Sequence, residues 1–179
     1  MEKTLRQTAV RLSKEACLIL AAVAGAVLLP QIFHGAGVLL GIGGKLGQIF
    51  LPMYLPVLII GFYRGPVSGA IAGLLAPLVS FAITEMPTAA LLPFITLELI
   101  ATGAIAGALS NAKYPAVLRV LSVQVAAKAV RLVALALSLY ITSGTLSASA
   151  LFAGIVASLP GIILQLAIVT PLILKKEKR

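Results

Sequence analysis

At 179 residues, 60% hydrophobic and 11% charged, this chain is far more apolar than a soluble domain, in which about 45–50% of residues are apolar. It reads as an integral membrane protein, and spans of about 20 residues on short loops leave no room for a second folded domain, which excludes an ATPase cassette or a large extracellular receptor. The formal net charge of +9 comes from basic clusters flanking apolar stretches, a pattern that sets membrane topology rather than nucleic-acid binding, and the lone Cys17 excludes an intramolecular disulfide and a multi-cysteine metal site.

The expected fold is all-α, a compact single membrane domain over residues 1–179, with six transmembrane helices at about 16–33, 45–63, 66–84, 93–111, 115–141 and 149–173. The first span follows a basic start and is read as retained rather than cleaved. Its Ala22 and Ala26 form an AxxxA pair, with Cys17, Ala21 and Gly25 as a second small stripe beside it. Small residues at this spacing let helices approach closely, inside the bundle or against another membrane protein. A break at Gly35 then opens a glycine-rich first loop, about Gln31 to Lys45, which contains His34 and is long enough to cover a pocket. Further breaks fall at Arg64-Gly65-Pro66, Glu85-Met86-Pro87, Asn111-Ala112-Lys113 and Ser143-Gly144.

Gly61, Gly65, Gly69 and Gly73 recur every four residues, and Gly103 with Gly107 repeats the pattern in the fourth span. The reading is internal packing of a small bundle. Pro66, Pro93 and Pro115 sit where a helix begins without losing a needed donor, whereas Pro52, Pro56, Pro77 and Pro160 predict kinked or interrupted helices. Lys3, Arg6, Arg11 and Lys14 precede the first span, and Lys175, Lys176, Lys178 and Arg179 follow the last, so both termini are expected in the cytoplasm. With six spans, Arg64, Lys113 and Arg119 fall on the same side and only Lys45 outside.

The most informative feature is polar. Gln124, Lys128 and Arg131 lie at i, i+4 and i+7 of an apolar stretch, hence on one helical face. A charge at the bilayer centre costs about 2.5–3.5 kcal/mol on insertion scales, so this face must look into the protein or a wet cavity, and it is a binding-site candidate. Glu98 is the only acidic residue within an apolar span. A Glu98–Arg131 pair is one outcome, and it leaves Lys128 without an obvious acidic partner, free to meet an anionic ligand or to snorkel to the interface. Gln165 is set aside as lying toward the cytoplasmic end. With one histidine, neither a paired-histidine metal site nor a Ser-His-Asp arrangement is assembled, and the GIGGK stretch lacks the full phosphate-loop spacing. No metal or cofactor is expected in this chain.

The ordered motifs resemble those of the substrate-binding S components of energy-coupling factor (ECF) transporters. The resemblance is carried by LPMYLPVLIIGFYRGPVSGAIAGLLAPLVSF from Leu51 to Phe81, MPTAALLPFITLELIATGAIAGAL from Met86 to Leu109, the helix with Lys128 and Arg131, and LPGIILQLAIVTPLI from Leu159 to Ile173. It implies a six-helix membrane protein, not an enzyme, that captures a vitamin or related micronutrient outside a prokaryotic cell. It also implies partners: a transmembrane coupling subunit docked on the AxxxA surface, here Ala22 and Ala26, and two cytoplasmic ATPases that use ATP. The pocket is then expected between the first loop and the outer halves of spans four to six, with Glu98, Gln124, Lys128 and Arg131 facing ligand and His34 as a loop contact. Lys128, Arg131 and Glu98 sum to +1, which favours a carboxylate-bearing ligand such as pantothenate over a neutral one. The absence of Trp argues against stacking on a large flat ring. The rival reading is a self-contained channel or carrier, oligomerised through the glycine ladders.

Overall fold

The computed structural model describes residues 2–41, 50, 52–142 and 158–178. Among the described residues it is all-helical: α1 (Glu2–Leu39), α2 (Tyr54–Arg64), α3 (Pro66–Thr84), α4 (Leu92–Ala108), α5 (Ala116–Thr142) and α6 (Leu159–Glu177). Four of these contain stretches long and apolar enough to cross a membrane, at Val10–Leu39, Pro66–Thr84, Ala116–Ser138 and Leu159–Glu177; α2 and α4 are shorter apolar helices. Large apolar side chains such as Leu28, Ile32, Ile83, Val125, Val133 and Ile163 point outward, the surface a lipid-facing bundle requires. The chain is a multi-pass membrane protein.

Successive helices run up and down. The turns at Arg64-Gly65-Pro66 and 109–115 therefore lie at one end with Arg11, Lys14, Lys175 and Lys176, the basic end, and the 85–91 turn lies at the other, the far end. Gly65 adopts φ 98°, a conformation open to glycine, which lets α2 stop and α3 start at Pro66 without a linker.

The glycine ladder is the seam of the bundle. An added Cβ on Gly103 of α4 would lie 2.0 Å from the Gly69 carbonyl oxygen of α3, one on Gly73 2.3 Å from the Leu99 carbonyl oxygen, and one on Gly61 of α2 2.6 Å from the Gly103 carbonyl oxygen. The backbones of α2, α3 and α4 therefore touch, as small residues at i, i+4 spacing permit. These glycines are consumed inside the monomer and are not free to build an oligomer. Around the seam, Leu55, Leu58, Phe62, Ala106, Val120, Val123, Val169 and Ile173 fill the basic half between α2, α4, α5 and α6. Ile19, Val23, Val27, Ile60 and Ala72 join α1 to α2 and α3.

The basic end is clamped by polar contacts. Glu15 of α1 is paired with Arg64 and accepts from Ser68 Oγ at 2.7 Å. Lys176 Nζ donates to the Phe62 carbonyl at 2.7 Å, and Tyr63 Oη to the Leu172 carbonyl at 2.8 Å. The first contact satisfies a carbonyl that the end of α2 leaves open, since the residue four on is Pro66 and has no N–H to give. Arg119 is buried, pairs with Glu177 and donates to the Ser110 carbonyl at 2.9 Å. It is thus a structural clamp as well as one of the charges counted toward topology.

Several expectations are corrected. The first helix begins at Glu2 rather than near 16 and continues through Pro30 and Gly35 to Leu39, so Gln31–Leu39 is not loop and His34 is a half-buried helical residue. A glycine lowers helix propensity by only about 1 kcal/mol and does not end a helix by itself. Pro52 precedes α2, while Pro56 and Pro160 fall in first turns, where a missing N–H costs little; they mark helix starts rather than kinks. Lys45, the Ser143-Gly144 break and the opening of the sixth span lie outside the described residues. The third helix is as expected, and the fourth and fifth agree within three residues at each end.

Candidate functional site

At 1.5 Å per residue, Tyr54 and Glu98 lie about 15 Å above the basic ends of their helices, Lys128 about 18 Å and Arg131 about 22 Å. A hydrocarbon core is about 30 Å thick. Three helices therefore deliver ionisable or hydroxyl groups to one level near the middle of the bundle.

They meet there. Glu98, fully buried, accepts from Lys128 Nζ at 2.7 Å through one carboxylate oxygen and from Arg131 Nη1 at 3.1 Å through the other. The Lys128 side chain is 12% exposed and that of Arg131 26%, so exposure rises toward the far end. Lys128 Nζ also lies 5.4 Å from the centroid of the Tyr54 ring, within cation–π range. Below, Gln124 donates through Nε2 to Gln165 Oε1 of α6, both side chains buried.

Two cations on one carboxylate leave a formal surplus of one positive charge in a low-dielectric interior. The carboxylate has about four lone-pair sites, of which two are used here. Lys128 is thus not left without an acidic partner: it shares Glu98 with Arg131, because i, i+3 spacing stacks both cations over the α4 face that carries Glu98. Gln165 rejoins the polar set. The fourth position after Gly161 brings it to the level of Gln124 rather than to the basic end.

Tyr54 is the residue that sequence reasoning missed. It is 3% exposed, and its hydroxyl stands beside Glu98 and Arg131, near enough to interact with both, although no bond of ordinary hydrogen-bond geometry closes on it among the described residues. Its signal was available: a tyrosine at the mouth of a proline-flanked helix start in apolar sequence. His34 stands on α1 and belongs to no polar contact described with these groups.

Of the AxxxA pair, Ala26 presents no surface. It is fully buried against Tyr54, Val57, Ala76 and Leu99, and Ala22 is half-buried on the Ile19 and Val23 cluster. The small residues that α1 exposes include Cys17, Ala21 and Ala24, which share one face at i, i+4 and i+7, beside Ala16. At the basic end, Arg11, Leu12, Glu15, Tyr63, Arg64, Val67 and Ser68 line an open cavity of about 550 Å³, remote from the buried charges.

Residues 17–173 match the family model described as the ECF transporter, substrate-specific component. The chain belongs to this family. Such components are non-enzymatic transport subunits that work with a coupling subunit and ATPases. No curated protein and no solved structure matches the chain.

Proposed function

We propose that this ECF substrate-specific component captures a small anionic micronutrient from outside the cell and delivers it to an ATP-driven import complex. The observation that carries the reading is the Glu98–Lys128–Arg131 cluster. Intramembrane charges are expensive and mark ligand or ion sites, and this one holds a surplus cation at mid-depth, more open toward the far end. The far end is taken as external because the basic residues gather at the other, a bias that supports cytoplasmic termini. A vitamin-like carboxylate such as pantothenate fits the charge surplus better than a neutral ligand. This chain needs no cofactor of its own; ATP is used by the two partner ATPases.

The testing experiment is mass spectrometry of small molecules copurifying with the solubilised chain, followed by calorimetry. Arg131→Ala is expected to weaken binding of the recovered ligand by about ten- to a hundredfold, the worth of a charged hydrogen bond, and Lys128→Ala likewise. Glu98 keeps one cation in each variant, so both proteins stay folded in a parallel thermal melt. Unaltered affinity in a folded Arg131→Ala protein excludes the cluster from the site.

Coupling to the membrane partner is assigned to the exposed small stripe of α1 rather than to Ala26. Ala21→Trp is expected to abolish ATP-dependent uptake in liposomes containing the full complex while ligand binding by the isolated subunit persists, because a bulky side chain there blocks close helix approach. Wild-type uptake by Ala21→Trp would move the docking surface elsewhere.

A further inference from the structure

The proposed site contains more than its charges. Tyr54 and Ser80 are 3% and 1% exposed, and no hydrogen bond of ordinary geometry closes on their hydroxyls among the described residues. Leaving a buried hydroxyl unpaired costs about 1–3 kcal/mol, and such groups in native structures call for an explanation. Their positions are related. Tyr54 belongs to the apolar layer formed with Ala26, Val57, Ala76 and Leu99, and Ser80 stands one turn beyond Ala76 on the same inward face of α3. Glu98 adjoins Leu99 in that layer, and Lys128 reaches over the Tyr54 ring. The polar groups therefore lie within this layer or one turn beyond it, toward the far end.

We propose that Tyr54 is a ligand-binding residue whose hydroxyl, with Lys128 and Arg131, holds the carboxylate of a small monocarboxylate, and that Ser80 and the spare lone pairs of Glu98 take a hydroxyl or amide elsewhere on that ligand. The inference rests on the substrate-capture reading above and adds a substrate class to it. Charge sets one half of the class: a monoanion cancels the surplus cation, whereas a neutral ligand leaves it and a cation doubles it. Hydrogen bonding sets the other half. Glu98 is acceptor-only and has lone pairs unused by Lys128 and Arg131, so a ligand with an O–H or N–H donor satisfies it and one without does not.

The test uses the full chain in detergent, with pantothenate and other hydroxyl- or amide-bearing monocarboxylates as probes beside the neutral alcohols in which CH2OH replaces the carboxylate. Thermal stabilisation of the wild-type protein is expected from the acids and not from the alcohols. Tyr54→Phe keeps the ring under Lys128 and removes only the hydroxyl; its unliganded melting temperature should stay within about a degree or two of wild type, since no hydrogen bond of ordinary geometry is lost, while affinity for the stabilising acid falls about tenfold or more. Ser80→Ala should lower affinity as well. Wild-type affinity in a folded Tyr54→Phe protein overturns the assignment of Tyr54. Tight binding of a neutral or cationic compound overturns the monocarboxylate class and the anionic part of the capture reading, and leaves standing capture of a small molecule. No stabilisation by any probe, together with no small molecule copurifying, overturns both.

Discussion

Replacing Glu98 by Gln is expected to cost the unliganded bundle about 3 kcal/mol or more and to lower its melting temperature more than any substitution of Lys128 or Arg131 alone. The side chain is fully buried and is the acidic partner described for two cations, and removing one member of a buried pair strands uncompensated charge, at a cost of about 3–5 kcal/mol. Gln keeps the volume, so packing is not the cause. The cycle is closed by Lys128→Met: in the double variant one stranded cation is gone, and part of the loss is expected to return as a coupling energy. Thermal unfolding of the four purified proteins in one detergent measures this. A Glu98→Gln protein as stable as wild type would show that the cations are hydrated rather than held by the carboxylate.

The second large effect belongs to Gly103. A single methyl at this position would stand 2.0 Å from the Gly69 carbonyl oxygen and 2.3 Å from its carbonyl carbon, and backbone cannot rotate away as a flexible side-chain tip does. Gly103→Ala is expected to force α3 and α4 apart. The cost exceeds the usual 1–3 kcal/mol or so of overpacking, because the helix contact itself is lost. Gly35, whose added Cβ meets nothing within 4 Å, supplies the control: Gly35→Ala should leave the melt unchanged or slightly improved, since Ala favours helix. Equal size-exclusion profiles and melts for the two variants would contradict a backbone seam.

The sequence disclosed the seam because glycine at i, i+4 spacing has few other physical uses in an apolar helix, and it disclosed the polar face because charges are so rarely placed there. It did not disclose where α1 ends. Gly35 and the following glycines read equally as loop and as permissive helix, and α1 takes the helical option as far as Leu39. The AxxxA pair was ambiguous for a related reason: a small residue reports that something comes close and not what it is, and for Ala26 the close neighbours are Tyr54 and Val57 of its own chain. The site was legible in its charges and not in their pairing. Glu98 and Arg131 were separated by several ångströms of counted helical rise, a difference that side-chain length absorbs, and Lys128 was left over only because one carboxylate was assumed to serve one cation. Tyr54 lacked both charge and periodicity, the two signals by which the others announced themselves.

Glu98 belongs to the glycine-seamed slab of α2, α3 and α4, whereas the cations that reach it stand on α5, a helix without glycine. That helix is pinned twice: low, where Arg119 grips Ser110 and Glu177, and at mid-height, where Lys128 and Arg131 grip Glu98. The two pins share no residue, so breaking the upper one leaves the lower one whole. Two levels of the seam-free helix are thus tied to the rest of the bundle by separate polar contacts, and loss of the upper one leaves α5 held by Arg119, by Gln124 and by its apolar packing.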